Sequence, residues 1–172
     1  DTFKSCGLNN NQFSVNVSNR KIIQGIVSEL KIKKNQEERV IRAIDKMDRL
    51  GLDGVKNILQ DGRKDESGAF IKGANLTSEQ ANTILNFIQI KDISELKKSI
   101  KNNLSKEGID ELSKLFDILS KGKFFDLIKI NLNIVRGLAY YSGFCVETNL
   151  NFNAKNSKGK EIDIGSCASG GR

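Results

Sequence analysis

The chain has 172 residues, of which 38% are hydrophobic and 28% charged, a balance typical of one or two globular domains with real cores. Its 28 lysines and arginines exceed its 21 aspartates and glutamates, which gives a net charge of +7. No apolar run is long enough to cross a membrane, and no targeting segment is visible. Because the chain contains no histidine, a Ser-His-Asp or Cys-His catalytic apparatus and a histidine-based zinc site are excluded within it.

The positive charge has two interpretations. A basic chain favours a polyanionic partner such as RNA. The alternative is coding bias, because lysine, asparagine and isoleucine are abundant while proline and tryptophan are absent, as expected from an AT-rich genome. The three cysteines, Cys6, Cys145 and Cys167, are widely spaced and form no C-x-x-C motif, which predicts free thiols in a reducing cytoplasm.

The first 33 residues predict one strand followed by one helix. Phe13, Val15 and Val17 alternate with polar residues, which is typical of a half-buried strand. Asn19 is then a suitable N-cap for a helix with one apolar side. The apolar residues of this helix are Ile22, Ile23, Ile26, Val27 and Leu30.

Residues 34–123 predict an all-helical insert, because apolar residues recur there at helical spacing. Gly51 ends the first apolar stripe, and a short helix from Val55 to Gln60 precedes a polar loop over residues 61–75. These stripes are most simply core packing. The predicted helix starts are the capping pairs Asn35 and Glu38, Thr77 and Gln80, and Asp92 and Glu95, followed by Ser105.

Residues 124–172 predict strands. The alternating residues Ile128, Ile130, Leu132 and Ile134 indicate a half-buried strand that leads into Arg136. A second strand from Phe144 to about Ala154, a hairpin turn at residues 156–159 and a third strand from Lys160 to Ile164 follow. A strand, a helical excursion and an antiparallel meander predict an α+β fold with the helices inserted between strands of one sheet.

The most informative motif is Arg136-Gly-Leu-Ala-Tyr-Tyr-Ser-Gly143, with Gly170-Gly-Arg172 at the far end of the chain. A strand end that presents Arg136, Tyr140 and Tyr141 could hold a carboxylate or phosphate on the cation and a flat polar ligand on the rings. Packing and surface roles are the alternative for these residue types. Neither a Walker A sequence nor G-x-G-x-x-G occurs, so phosphate binding of the P-loop or Rossmann kind is unsupported.

Arg-Gly-Leu-x-Tyr-Tyr-x-Gly, a strand ending in Glu147, a hairpin and Gly-Gly-Arg together resemble the histidine-specific signature of the histidyl-tRNA synthetases, which are class II aminoacyl-tRNA synthetases. The segment from Val17 to Ile26, with its N-R-K-x-x-x-G pattern, is similar to the same family. Residues 62–68 resemble the insert of an α-proteobacterial-like branch. Ala139 departs from the family, which often has an acidic residue there.

The resemblance implies a fold and a domain organisation. Part of a class II synthetase antiparallel sheet would be formed by a core segment at residues 1–33 and by core strands at residues 124–172. An all-helical insertion domain, residues 34–123, would lie between them.

The resemblance also implies residue roles in histidine activation. Arg136 would be catalytic and would bind histidine and ATP, because a cation between the histidine carboxylate and the α-phosphate stabilises the charge of the transition state. Tyr140 and Tyr141 would recognise the imidazole ring. Gly170 and Gly171 would let the backbone approach the same substrate. No metal site is expected in this chain.

A second set of residues, Arg63, Lys64 and Lys72, would contact tRNA phosphates, since the resemblance places the insert over the acceptor arm of tRNA. The alternative for these three residues is a solvated loop between helices. The decision between the two depends on where the loop lies and on what surrounds the cations.

The function implied is that of a histidine–tRNA ligase, with histidine, ATP and tRNA-His as substrates and partners. Mg²⁺ would accompany ATP in the full-length enzyme, which is expected to be a cytoplasmic homodimer without membrane contact. The chain begins with Asp1, so we expect a fragment that is inactive alone and binds no cofactor by itself. Two alternatives remain: a non-catalytic synthetase-like regulatory subunit that senses histidine or tRNA, and a helical RNA-binding module.

Overall fold

The computed structural model describes residues 2–123, 125–135, 141–162 and 164–172. Within these ranges the helices are α1 (Thr2–Ser5), α2 (Arg20–Glu29), α3 (Lys34–Ile44), α4 (Met47–Leu59), α5 (Ser78–Ile88), α6 (Ile93–Ser99) and α7 (Asn103–Leu119). The strands are β1 (Phe13–Asn19), β2 (Gly62–Lys64), β3 (Phe70–Lys72), β4 (Ile128–Ile130), β5 (Phe144–Leu150), β6 (Ala154–Lys155), β7 (Glu161–Ile162) and β8 (Ser166–Gly171). The predicted α+β class is confirmed.

The main sheet has four strands in the order β4-β1-β5-β8. Strand β5 pairs antiparallel with both β1 and β8, whereas β1 and β4 are parallel. The helices from α2 to α7 therefore form an excursion between two strands of one sheet, as predicted, and these two strands are also neighbours. Parallel neighbours need a crossover connection, because a tight turn can only reverse the chain direction.

One hydrophobic cluster joins the sheet to the helices. Val17 and Ile130 are opposite each other in the β1–β4 register, and both are buried. They belong to the same cluster as Ile22 of α2, Val40 of α3 and Leu112 of α7. Each such side chain stabilises the fold by about 1.5–3 kcal/mol when fully buried. The helices thus pack on the sheet, and the domain limits predicted from the sequence stay predictions.

Three predicted helix starts are confirmed by their hydrogen bonds. Asn19 Oδ1 accepts a backbone N–H of the first turn of α2 at 3.1 Å. Thr77 Oγ1 accepts the N–H of Gln80 at 3.2 Å, and Gln80 Oε1 accepts the N–H of Thr77 at 3.0 Å. Asp92 Oδ1 accepts the N–H of Glu95 at 2.9 Å. These side chains satisfy N–H groups that have no partner within the helix.

The predicted capping pair Asn35 and Glu38 is wrong, because α3 begins two residues earlier, with Lys33 at its N-cap. The N–H of Lys33 donates to Gln36 Oε1 at 3.2 Å, so Gln36 has the role that the sequence assigned to Glu38. The Glu38 carboxylate instead pairs with Arg42 one turn further along the helix.

The predicted start at Ser105 is also wrong. Asn102 Oδ1 caps α7 by accepting the N–H of Leu104 at 2.8 Å. Ser105 lies inside the first turn, where its hydroxyl donates to the carbonyl of Ile22 at 2.9 Å. Asparagine and serine cap helices about equally well, so the burial of Ser105 against α2 decides between them.

Strand β4 is shorter than predicted. It ends at Ile130, and the chain turns at Asn131, whose carbonyl accepts the N–H of Ile134 at 3.2 Å. Leu132 and Ile134 are nevertheless buried. Leu132 and Ile134 alternate with polar residues because the turn buries them, and not because they belong to a paired strand. Asparagine, which stands at position 131, is a residue that favours turns.

The predicted polar loop at residues 61–75 contains a β-hairpin formed by β2 and β3. The Asp65 carboxylate closes the turn between them by accepting the N–H of Ser67 at 2.9 Å and of Ala69 at 3.0 Å. Hydrogen bonding from the Ser67 hydroxyl lowers the pKa of Asp65, so the carboxylate stays charged. Strands of three residues are too short for a period-2 pattern to reveal them.

The hairpin turn predicted at residues 156–159 is confirmed, and β6 and β7 flank it. The carbonyl of Asn156 accepts the N–H of Gly159 at 2.9 Å, and the N–H of Asn156 donates to Lys160 at 2.9 Å. Gly159 has φ +76°, which a glycine adopts without strain. Strand β5, predicted to reach Ala154, ends at Leu150.

Candidate functional site

The predicted histidine site is described in part. Residues 136–140 lie outside the described residues, and so the predictions made on Arg136 and Tyr140 stay predictions. Tyr141, Gly170 and Gly171 are described, and they lie at one end of the β5–β8 pair.

The ring of Tyr141 lies directly against Gly171. A Cβ atom built on Gly171 would be 2.5 Å from Tyr141 Cδ1 and 2.6 Å from the carbonyl oxygen of Phe144. Both distances are below any real carbon contact, so the ring occupies the space that a side chain would need. Glycine is required at this position because backbone and ring approach so closely.

Backbone hydrogen bonds join residues 141–143, here called the Tyr141 turn, to the end of β8. The carbonyl of Arg172 accepts the N–H of Ser142 at 2.8 Å and of Gly143 at 2.9 Å. The N–H of Arg172 donates to the carbonyl of Phe144 at 3.0 Å. The two motifs singled out from the sequence are therefore neighbours in space.

Gly170 faces the opposite side of the sheet from Gly171, because successive residues of a strand alternate. A Cβ atom on Gly170 would have no atom within 4 Å. Gly170 and Gly171 both border a groove of ≈ 410 Å³, which is also lined by Phe144, Val146 and Thr148. The two glycines differ in their Cβ positions: that of Gly170 is empty, whereas that of Gly171 is filled by the Tyr141 ring.

Arg20, the first residue of α2, contacts both chain segments that flank residues 136–140. Its backbone N–H donates to the carbonyl of Gly143 at 2.8 Å, and its Nη1 donates to the carbonyl of Val135 at 3.5 Å. The residue is only 6% exposed. Sequence reasoning assigned no role to Arg20, although its place in the N-R-K-x-x-x-G pattern was an available signal.

A polar cluster, formed by Asn19, Lys21, Glu107 and Glu111, joins α2 to α7. Glu111 Oε2 accepts from Asn19 Nδ2 at 2.6 Å, and Glu111 Oε1 accepts from Lys21 Nζ at 2.6 Å. Lys21 Nζ also lies 2.6 Å from Glu107 Oε1. Asn19 is fully buried, while the Glu107 side chain is 59% exposed. This cluster was missed from the sequence, because it joins residues about 90 positions apart.

The electrostatics of the polar cluster favour charged side chains. Burial opposes the charge of Glu111, but hydrogen bonds from Lys21 and Asn19 outweigh it and lower the pKa of Glu111. The positive charge of Arg172 adds to this lowering. Hydrogen bonds to Glu107 and Glu111 raise the pKa of Lys21. Both partners of the Lys21–Glu111 pair are therefore charged at neutral pH.

The predicted tRNA-contact residues Arg63, Lys64 and Lys72 are divided between two faces of the β2–β3 hairpin. Lys64 is opposite Phe70 and Lys72 is opposite Gly62, so both lysines share a face with Phe70. Phe70 is 63% exposed, and its ring lies over Gly62, where a Cβ atom would be 3.0 Å from Phe70 Cζ. Arg63 belongs to the other face.

Arg63 and Lys72 border two basic pockets of ≈ 350 Å³ and ≈ 470 Å³ on α3 and α4. The further cations that line them, which sequence reasoning missed, are Arg39, Arg42, Lys46 and Arg49. The acidic residues that also line them are Asp45, Asp65 and Glu66. The spacing of the four cations by three or four residues was the available signal, because it places side chains on one side of a helix.

Within the described ranges, no group of three or more Cys, Asp or Glu side chains could hold a metal ion. The thiols of Cys6 and Cys167 are exposed, and that of Cys145 is buried.

Residues 1–151 match the family described as histidyl-tRNA synthetase. The histidine–tRNA ligase of Pelagibacter ubique (strain HTCC1062) is 58% identical over 99% of this chain, which covers 37% of that protein. The solved structure of histidyl-tRNA synthetase from Nostoc sp. PCC 7120 aligns with a TM-score of 0.70 at 26% identity, over 87% of this chain and 34% of that one. The chain spans little more than a third of the length of these relatives.

The chain has a sheet interrupted by helices, and it shares these similarities with known synthetases. Its fold is therefore that of the class II aminoacyl-tRNA synthetases. Within this class, the chain belongs to the histidyl-tRNA synthetase family. The resemblance seen in the sequence motifs is thereby confirmed.

A second solved structure shares the fold. It is described as an ATP phosphoribosyltransferase regulatory subunit/histidyl-tRNA synthetase from Bacillus halodurans C, and it aligns with a TM-score of 0.64 at 17% identity, over 86% of this chain and 36% of that one. Such coverage cannot be reached without most of residues 34–123. Most of that segment therefore belongs to the shared fold.

Proposed function

We propose that the chain is part of the catalytic region of a histidine–tRNA ligase, which activates histidine with ATP and transfers it to tRNA-His. The observation that carries this proposal is the match of nearly the whole chain to a histidine–tRNA ligase. The contact of Tyr141 with the Gly170-Gly171 segment supports it, because it unites two motifs that would act on one substrate.

Histidine activation joins a carboxylate oxygen of histidine to the α-phosphorus of ATP and expels pyrophosphate. The two reactants are both anionic, and negative charge grows on the phosphate in the transition state. Arg136 would bridge both groups, because a guanidinium stays charged and binds bidentately. The contacts of Arg20 with Val135 and Gly143 support this role, since they hold the chain on both sides of the segment that carries Arg136.

Histidine recognition would be the task of the two tyrosines. Tyr140 and Tyr141 offer hydroxyl groups to the imidazole nitrogens and aromatic faces to the ring. A site with such polar partners rejects analogues that lack the ring nitrogens, because its own groups would be left unpaired. Gly171 supports the Tyr141 ring from behind, and Gly170 leaves the neighbouring groove open.

ATP and its Mg²⁺ would be substrates of the complete ligase. The chain covers only 37% of the length of the Pelagibacter ubique ligase, so the remaining part of such a ligase would hold most of the nucleotide. We therefore expect this chain alone to be inactive. We expect the complete ligase to be a cytoplasmic homodimer, and no helix of the described residues could span a membrane.

Contact with tRNA is proposed for the basic hairpin. Lys64, Lys72 and Arg63 would meet phosphates, which fix the position of the RNA without reading its sequence. Phe70 extends the proposal, because an exposed ring between two lysines matches the pattern of proteins that stack unpaired bases.

The central test is histidine-dependent exchange of pyrophosphate into ATP by the complete ligase. We expect Arg136→Ala to lower the exchange rate by at least about 100-fold, since loss of one such donor costs about 3–4 kcal/mol in the chemical step. Lys158→Ala, in the exposed hairpin turn, is a suitable control and should behave like wild type. A near-normal rate for Arg136→Ala would remove this residue from the mechanism.

A regulatory subunit is the second candidate, because its fold is shared. It predicts histidine binding by the complete protein without pyrophosphate exchange. A plain RNA-binding module predicts salt-dependent RNA binding without any response to histidine. Exchange activity of the complete protein would exclude both.

A further inference from the structure

The N-R-K-x-x-x-G segment at the start of α2 has no direct part in the chemistry proposed above, where only the contacts of Arg20 support the role of Arg136. It consists of Asn19, Arg20, Lys21 and Gly25, followed along the chain by the helical insert. Each of these residues nevertheless makes a close contact either with α7 or with the turn that precedes β5.

On one side, the segment contacts α7. Glu111 accepts hydrogen bonds from Asn19 and Lys21, both at 2.6 Å. A Cβ atom on Gly25 would lie 1.9 Å from Ser105 Oγ and 2.7 Å from the backbone nitrogen of Ser105. The start of α7 thus lies flush against α2, and only glycine at this position allows that approach.

On the other side, the segment contacts the turn of the candidate site. Asn19 is opposite Phe144 in the β1–β5 register, and the N–H of Arg20 donates to the carbonyl of Gly143 at 2.8 Å. The N–H of Gly143 in turn donates to the carbonyl of Arg172 at 2.9 Å. Hydrogen bonds therefore join Glu111 to Asn19, Arg20 to Gly143, and Gly143 to Arg172 of the Gly-Gly-Arg motif. The peptide bond between Asn19 and Arg20 connects the first of these hydrogen bonds to the second.

We propose that Glu111 is a positioning residue for histidine activation, acting through Asn19 on the turn formed by residues 141–143. This inference rests on the proposed function of that turn. Asn19 is fully buried, so water cannot replace Glu111 as the hydrogen-bond acceptor of its side-chain amide. The position of Glu111 would therefore determine where the start of α2 lies. Displacements of about 1 Å in a reacting site can cost about 100-fold in rate.

The proposal assigns a task to α7 that its sequence does not reveal. This helix belongs to the predicted insertion domain, yet its Glu111 would set the geometry of the histidine site. The insert would then contribute to histidine activation as well as to RNA contact.

The test is a double-mutant cycle in the complete ligase. Glu111→Ala should raise the KM for histidine in pyrophosphate exchange by at least about 10-fold. Asn19→Ser keeps a helix-capping hydroxyl but loses the amide donor, and should have a similar effect. Because both variants break the same contact, the double variant should be no worse than either single variant.

Glu107→Ala is the matched control, since Glu107 contacts Lys21 but is not bonded to Asn19. It should leave the histidine KM within about 2-fold of wild type, as is usual for exposed positions. Glu111→Gln should restore most of the histidine affinity, because its amide oxygen still accepts from Asn19.

A titration of active sites by the burst of adenylate formation separates positioning from folding. A merely structural Glu111 would change the fraction of active enzyme and leave the histidine KM of the remainder unaltered, which would overturn the proposal. The proposal would also be overturned if the double variant raised the histidine KM by the product of the two single effects. If the wild-type protein shows no exchange, the proposed function fails, and histidine affinity measured by calorimetry on the same variants decides the role of Glu111.

Discussion

At Gly171 of the candidate site, the absence of a side chain makes room for the Tyr141 ring. The Tyr141 ring and the Phe144 carbonyl occupy the space where a Cβ atom would be. We expect Gly171→Ala to lower the free energy of unfolding by about 1–3 kcal/mol, the cost of forcing a methyl group into a packed place. Denaturation in urea, followed by circular dichroism, measures this change.

The neighbouring Gly170 is the matched control, because nothing lies within 4 Å of a Cβ atom placed on it. Gly170→Ala should change the free energy of unfolding by no more than about 0.5 kcal/mol. Equal losses in the two variants would mean that Tyr141 does not pack on Gly171 in solution.

At the level of elements, the pairing of α2 with α7 depends on charge. The folded-state pKa of Glu111 is lowered from its ordinary value of 4.5. Its ionised form therefore stabilises the fold above that value, and this contribution is lost as the pH falls through the lower folded-state pKa. For Lys21 the sign is opposite: its raised pKa gives a contribution that is present below 10.5 and lost as the pH rises through the higher folded value.

Glu111→Gln isolates the acidic half of this dependence. At pH 7 we expect it to lower the free energy of unfolding by up to about 1 kcal/mol, the range for partly exposed ion pairs, because glutamine keeps the hydrogen bond but loses the charge. The difference from wild type should shrink as the pH falls below 4.5, because wild-type Glu111 is then increasingly protonated. Thermal unfolding over a pH series measures it, and a difference that does not vary with pH would contradict the charged pair.

The hairpin of β2 and β3 is the second element with a proposed task. Lys64 and Lys72 share its exposed face with Phe70. Replacing either lysine by alanine should weaken binding of tRNA-His to the complete ligase and reduce the slope of log affinity against log salt by about 1. Phe70→Ala should cost about 1–3 kcal/mol if the ring stacks on a base, whereas Phe70→Tyr should retain affinity.

Two controls make the hairpin prediction specific. Lys114→Ala, at an exposed position of α7, removes the same charge elsewhere on the insert and should have a smaller effect. Pyrophosphate exchange without tRNA should be unchanged in all hairpin variants. A loss of exchange in the Phe70 or lysine variants would show that the hairpin supports folding or histidine activation instead of RNA contact.

At the scale of the whole molecule, the crossover between β1 and β4 explains why the insert and the candidate site are connected. The chain leaves the sheet after β1 and returns to it as β4, beside β1, so the helices must pack where the excursion begins and ends. Glu111 of α7 lies at that place and contacts Asn19. Arg20 also lies there, and it contacts both Gly143, in the turn formed by residues 141–143, and Val135. The fold thereby brings the insert against the start of α2 without a separate linker.

The sequence by itself determined the family, the α+β class and three helix starts, because a cap such as Thr77 with Gln80 involves residues only three positions apart. It also predicted Tyr141 and Gly171 as site residues, but not that one packs on the other. Only the tertiary structure decided which residues are partners, such as Asn19 and Glu111, and that the buried run after Ile130 is a turn. Local periodicity reports burial and helix geometry, whereas contacts between distant residues depend on how the chain crosses itself, and no local pattern encodes that.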